Sequence, residues 1–309
     1  MKKADLMITP PYLQAGDTVA LVAPARSIER EAVEPALKIF HAWDLKVITG
    51  DNLFSQNHQF AGSDMERARN MQQMMDDEKV KAIFCARGGY GTIRILEHLD
   101  FSHFMHYPKW LVGFSDITVL HTFINEKLHI KTLHAEMPVN FPKGGKENTS
   151  MKYMKDLLWG NIKHYDLGND FPACDQSRIS GRLTGGNLSV LYSLCGTPYD
   201  MDTNGKVLFL EDVDEYLYHL DRMMMNFRLS GKLNNLKALI VGSLTDMKDN
   251  AIPFGKTACE IILDATKEFD YPVLTGFPSG HSGLNMPLIL GGIIQIRKKE
   301  GGMEVKFLD

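Results

Sequence analysis

Along the first half of the chain, short and nearly unbroken apolar runs alternate with stretches whose apolar residues recur at helical spacing. Residues 17–24 (Asp-Thr-Val-Ala-Leu-Val-Ala-Pro) read as a first strand, and within residues 28–43 Val33, Ala36, Leu37 and Phe40 fall on one face of a helix. A short strand at 45–48 and a helix at 66–77 follow, and then a strand at 80–86 that runs into Arg-Gly-Gly-Tyr-Gly at 87–91. A helix at 92–98, a strand at 110–114, a helix opening at Ser115 and a strand at 132–134 complete this half. Strands alternating with helices predict an α/β fold, a Rossmann-like domain with a mostly parallel sheet covered on both faces. Ligands of such sheets collect beyond the carboxyl ends of the strands, where Gly88 to Gly91 and Ser115 are both expected.

The rhythm breaks after residue 141, where Pro142, Lys143, Gly144, Gly145 and Lys146 precede a Met/Lys/Leu helix and a polar stretch through Asp170. Beyond it the pattern predicts strands at 206–210, 238–242, 273–275, 288–296 and 304–307, with helices at 217–229 and 257–269. This half is richer in strand and poorer in alternating helices, so a separate mixed, β-rich domain is expected. The division is then residues 1–145, a linker at 146–179, and residues 180–309.

The sharpest local feature is the corner at Ser115. Trp110 to Phe114 is apolar apart from Gly113, as suits a strand covered on both faces, while Ile117, Leu120, His121 and Ile124 recur at helical spacing. A side chain on such a corner stands proud of the sheet, and the helix behind it aims free N–H groups and its positive dipole end at any charge that develops there. This is the logic of the nucleophile elbow, although Gly-Phe-Ser-Asp-Ile lacks the second glycine of G-x-S-x-G. The competing reading is that Ser115 or Asp116 simply caps the helix, both being good N-cap residues.

A serine nucleophile needs a base and a group to orient that base. His98, His103 and His106 lie in an aromatic-rich passage, and His121, His129 and His219 read as helix-face residues. His134 ends a strand of the sheet expected to carry Ser115, and His281 stands in Gly-Phe-Pro-Ser-Gly-His-Ser-Gly-Leu-Asn-Met-Pro, a loop too dense in glycine and proline to be helical. His281 is favoured as base, because such a loop is costly in conformational entropy unless a side chain must be aimed. Among the carboxylates, Glu211 is read as the first residue off an apolar strand end, with Asp212, Asp214 and Glu215 as an acidic helix start. The glycine-rich turn at 87–91 matches neither nucleotide-binding spacing and equally suits an oxyanion or a substrate carboxylate.

Composition narrows the classes. The 309 residues are 44% hydrophobic and 23% charged, with a formal net charge of −4 and no basic run, which argues against a nucleic-acid partner. No apolar run approaches a membrane span and the first residues lack a signal-peptide core, so the cytoplasm is the expected compartment. Cys85, Cys174, Cys195 and Cys259 are widely spaced and read as reduced, mostly buried residues. There is no H-E-x-x-H and no tight His/Asp cluster, so neither a metal nor another cofactor is called for.

Val-Ala-Pro near the start, Ala-Arg-Gly-Gly-Tyr-Gly to 91, Gly-Phe-Ser-Asp-Ile-Thr to 118, Gly-Gly-Asn-Leu to 188 with Gly-Thr-Pro to 198, Leu-Glu-Asp to 212, and Gly-His281 with Asn285 and Pro287 occur in one order. In this the chain resembles, over nearly its whole length, the LD-carboxypeptidases, serine peptidases that include muramoyltetrapeptide carboxypeptidases and the microcin-immunity proteins. The resemblance implies a Ser–His–Glu triad of Ser115, His281 and Glu211, with the serine on a Rossmann-like domain and the other two on a β-rich domain. It implies a murein tetrapeptide substrate cleaved before its terminal D-alanine during wall recycling, and commonly a homodimer. The backbone N–H groups of Asp116 and of Gly88 or Gly89 are then candidates for the oxyanion hole, and Arg87 for the anchor of the substrate carboxylate. His134-Ala-Glu-Met-Pro departs from the His-Gly-Pro more usual in relatives. A microcin-type peptidyl-nucleotide substrate is the alternative, but the aromatic clamp it calls for near residues 178–182 is missing. A catalytically silent sugar- or nucleotide-binding protein is opposed by Ser, Glu and His at three predicted strand ends.

Overall fold

The computed structural model describes residues 6–168 and 178–308, so Cys174 and part of the expected linker lie outside the described residues. Two compact units are present, the first formed by Met1–Ile162 with Met286–Leu288 and the second by Lys163–Asn285 with Ile289–Asp309.

In the first unit β1 (Thr18–Val22), β2 (Lys46–Thr49), β3 (Val80–Cys85), β4 (Trp110–Gly113) and β5 (Thr132–His134) form a sheet in the order β5-β4-β3-β1-β2. All four pairings among them are parallel. The order reverses direction between β1 and β3, which makes their carboxyl ends the switch point at which doubly wound sheets bind ligands. Their apolar runs are buried because both faces are covered: Leu21, Phe84, Leu111 and Val112 are each 0% exposed. Each such side chain contributes about 1.5–3 kcal/mol.

The connecting helices include α1 (Arg30–Ala42), α2 (Asp64–Asp76), the short α3 (Thr92–Ile95) and α4 (Ser102–His106), and α5 (Thr118–Phe123). Ser63 caps α2 and Glu66 reaches back to it, a capping box that starts the helix at Asp64, ahead of the expected residue 66. At the other end Lys109, buried just ahead of β4, donates to the carbonyls of Met75 (2.9 Å) and Asp77 (2.6 Å). Desolvation pulls its ammonium down to about 8.

The stretch at 146–179 contains α6 (Thr149–Leu158), which belongs to the first unit, and β6 (His164–Leu167), which belongs to the second. The second unit adds β7 (Arg178–Asn187), α7 (Leu188–Leu194), β8 (Val207–Val213), α8 (Leu217–Leu229), β9 (Ala238–Thr245), α9 (Ala258–Thr266) and β10 (Val273–Leu274), and closes with β12 (Ile293–Lys299) and β13 (Gly302–Phe307) after β11 (Leu288–Leu290). Its seven-stranded sheet runs β10-β9-β8-β7-β12-β13-β6. The four strands from β10 to β7 pair in parallel and those from β7 to β6 antiparallel. The expected single strand at 288–296 is therefore two strands, broken by Gly291, whose φ of 82° turns the chain. The start of β11 instead edges the first sheet beside β5. No helix among the described residues is long and apolar enough to cross a membrane.

Candidate active site

Ser115 lies just beyond the carboxyl end of β4, after the extended Phe114, and its φ is 62°. A serine pays about 1–3 kcal/mol for left-handed backbone, so the surrounding structure must impose it. The strain has a geometric effect, since it turns a buried strand into a helical turn within one residue. Ser115–Ile117 form a 3-10 turn that runs into α5, and neither Ser115 nor Asp116 makes a side-chain capping bond to these helices. The capping alternative is thereby set aside. The Asp116 carboxylate instead reaches away from its own helix and accepts the Thr92 N–H (2.8 Å) and Thr92 Oγ (2.7 Å).

The glycine-rich turn lies against this corner. A Cβ built on Gly88 would stand 3.1 Å from Ser115 Cβ, 3.3 Å from Ser115 Oγ and 3.3 Å from the Asp116 nitrogen. Gly88 is thus the neighbour of Ser115, whereas Gly89, with φ of 105°, lies against the Arg26 side chain. The Asp116 N–H precedes the first hydrogen bond of the turn, Ile117 N–H to Phe114 O at 3.2 Å. Arg87 is half-buried and donates one N–H to Ser27 O at 3.0 Å; a guanidinium has five donors in all. Burial pushes the Asp116 carboxyl up from its ordinary range, while the Thr92 bonds and the charges of Arg67 and Arg26 pull the other way.

His134 and His121 are not suited to proton exchange with solvent. His134 is fully buried in β5, in register with Gly113, with its ring 5.7 Å from that of Phe114 and 6.5 Å from that of His121. His121 is buried as well, with Nε2 bonded to Gly113 O at 2.9 Å, and desolvation lowers its pKa to about 4. The unfolded chain binds a proton at about 6.5, so between those values it holds more protons than the native state and stability falls as pH falls. The loss from pH 7 to pH 4 is expected to be about 3 kcal/mol. In His121→Gln, which keeps a donor and does not titrate, urea midpoints should fall with about one proton less acid dependence over that window.

In the second unit His281 Nδ1 bonds Glu211 Oε2 at 2.7 Å. The two are 70 positions apart, and the Glu211 side chain is 0% exposed while that of His281 is 21% exposed. Glu211 does not stand off the strand end as expected but inside β8, paired to Asn187 of β7. On its other side the register slips from Leu210↔Val241 to Asp212↔Leu244, so Gly242 and Ser243 together oppose Glu211. Such a bulge re-aims side chains. It also lets the His281 loop approach: Ser243 N–H donates to Ser279 O at 2.9 Å, and a Cβ on Gly242 would stand 2.4 Å from that oxygen. Gly280, at φ 113°, admits no side chain, since a Cβ there would stand 2.7 Å from Glu211 Oε2.

The loop is held from both sides. Asn285 Oδ1 accepts the Gly280 N–H (2.9 Å) and Ser279 Oγ (3.2 Å), and Thr245 Oγ1 donates to His281 O at 2.7 Å. The acidic cluster after Glu211 is not a helix start. Asp212 is buried in β8, accepting from Asn187 Nδ2 (3.0 Å) and the Ser189 N–H (2.8 Å), and α8 has no acidic residue in its first turn. Burial and the neighbouring Glu211 push Asp212 up to about 7. Cys195 and Cys259 are half-buried rather than buried. Among the described residues no group of three His, Cys, Asp or Glu could hold a metal ion.

A sequence model of the LD-carboxypeptidase N-terminal domain matches residues 19–135, and one of the C-terminal domain matches residues 180–296. The chain belongs to the LD-carboxypeptidase family. It is an enzyme, a peptidase of that family. A "probable murein peptide carboxypeptidase" of Bacillus subtilis (strain 168) is 32% identical over 295 residues, covering 91% of this chain and 89% of the relative. The muramoyltetrapeptide carboxypeptidase of Oxalobacter formigenes is similar in structure, with a TM-score of 0.83 and 27% identity over 94% of this chain and 99% of that one. MccF in complex with glutamyl sulfamoyl guanosine has the same fold, with a TM-score of 0.88 at 18% identity over 98% and 99% of the two chains. Two side chains that pack on the glycine-rich turn and on Asp116, and that the sequence does not single out, are Arg67 and Thr92. Their only signal was position: Thr92 directly follows the glycine-rich turn, and Arg67 is an arginine on a helix face that is otherwise buried.

Proposed function

We propose that this chain is a serine LD-carboxypeptidase that releases terminal D-alanine from murein tetrapeptide. Ser115 Oγ attacks the carbonyl that follows the diaminopimelate L-centre, forming an ester as the amide C–N bond breaks. His281 takes the Oγ proton and returns it to the leaving D-alanine amine; water then hydrolyses the acyl-enzyme with the same histidine as base. Glu211 orients the imidazole, the N–H groups of Asp116 and of Gly88 or Gly89 receive the oxyanion, and Arg87 anchors the substrate carboxylate.

The observation that carries this reading is the Glu211–His281 bond: Oε2 of the buried carboxylate engages Nδ1 at 2.7 Å and so fixes the orientation of the ring, as the third member of a serine triad must. The left-handed serine after β4 supports it as well. The murein assignment is supported by the names of the Bacillus subtilis and Oxalobacter formigenes relatives. We further propose action in the cytoplasm, as a homodimer, on peptides recycled from the wall. The test is incubation with a murein tetrapeptide and mass detection of free D-alanine. Cleavage of a peptidyl-nucleotide in its place would favour the MccF-like alternative, and cleavage of neither would refute both.

A further inference from the structure

The turn that carries Gly88 holds three glycines in five residues, so its shape must be imposed from outside. Among the contacts that hold it, three lie at its two ends and beside the serine. At its far end the Gly91 carbonyl accepts from Nη1 of the buried Arg67 at 2.9 Å, and the same nitrogen donates to Pro24 O, beyond the end of β1. Gly91 has φ 137°, and a Cβ there would stand 2.7 Å from that nitrogen, so the guanidinium fills the space a side chain would need. At the near end Gly88 O accepts the Arg26 N–H at 3.4 Å. Between turn and serine stands the Asp116 carboxylate, 3% exposed as a residue, one oxygen of which takes both Thr92 donors. A carboxylate removed from water is costly unless it is bonded, and here both of these bonds go to the residue that directly follows the turn.

We propose that Asp116, through its carboxylate, and Thr92, through its hydroxyl, are positioning residues: they set the spacing of the Gly88 and Asp116 N–H groups beside Ser115, and thus the stabilisation of the transition state more than the binding of substrate. This rests on Ser115 being the nucleophile. Oxyanion donors act only when aimed at the place where charge develops, and a displacement of about 1 Å in such a site costs about 10²-fold. Loosening one of the two bonds should therefore appear in kcat and not in KM.

Thr92→Val removes the hydroxyl with little change of shape and leaves the N–H bond. Its kcat for D-alanine release should fall about tenfold, with KM within about twofold of wild type, and affinity for a peptidyl boronate that mimics the tetrahedral state should fall in parallel. Thr92→Ser, which restores the hydroxyl, should return kcat to within about twofold of wild type. Should Thr92→Val not fold, Asp116→Asn keeps the shape, weakens both bonds and should give the same split. Unchanged kcat in the variant, a change in KM alone, or a Thr92→Ser enzyme as slow as Thr92→Val would overturn the proposal. Ser115→Ala in the same assay separates the two levels: if it is active, the serine reading falls and this inference with it, whereas an inert Ser115→Ala beside a normal Thr92→Val removes only the inference.

Discussion

Ser115→Ala is expected to lower the turnover of murein tetrapeptide by about 10⁴-fold or more while leaving the fold intact. The serine makes no capping bond that the fold would lose, and alanine meets the same left-handed strain that serine already bears. The deficit should therefore be chemical, with no ester able to form. Ser115→Gly sharpens the point: it should be equally inert and yet more stable by about 1 kcal/mol, because glycine adopts φ of 62° without cost. Release of D-alanine and the thermal midpoint, measured on the same preparations, check both parts. Turnover of Ser115→Ala within tenfold of wild type would remove Ser115 from the chemistry.

Glu211→Gln carries the second large effect. A carboxylate only accepts, so the 2.7 Å contact from Oε2 favours the tautomer that carries its proton on His281 Nδ1. A glutamine amide can donate to Nδ1 instead, which places the ring proton on Nε2 and blocks that nitrogen as a base. The corresponding swap of carboxylate for amide in a Ser-His-Asp triad costs about 10⁴-fold in kcat with geometry intact. A loss of similar order, with KM changed by less than about threefold, is expected here. The amide should fit, because the space around Glu211 is set by Gly280 and by the β9 bulge, not by the charge. A Glu211→Gln enzyme within tenfold of wild type would show that the bond to His281 is structural only.

Both residues were legible in the sequence as types in a context, but not in their geometry. Ser115 stood out because a period-free apolar run gives way to helical spacing at one position. Periodicity, however, says nothing about the sign of φ, and an N-cap serine reads the same. In the sequence Glu211 reads as the first residue off the apolar run Val-Leu-Phe-Leu. In the structure it is 0% exposed within β8, because the bulge in β9 and a glycine at 280 open room for it and for His281. The run at 288–296 misled in the opposite sense: its apolar pattern is continuous, and only the turn at Gly291 divides it.

The sequence by itself determined the alternation of buried strand and amphipathic helix and the parallel character of the first sheet, and it offered Ser115, Glu211, His281 and the glycine-rich turn as candidates. These follow from which positions must leave water, and that is a local property of spacing. The tertiary structure decided the left-handed serine, the closeness of Gly88 to Ser115, the tie from Asp116 to Thr92, and the bond between two residues 70 positions apart. Each of these depends on the register in which distant strands pair and on where that register slips, and no window of neighbouring residues encodes it.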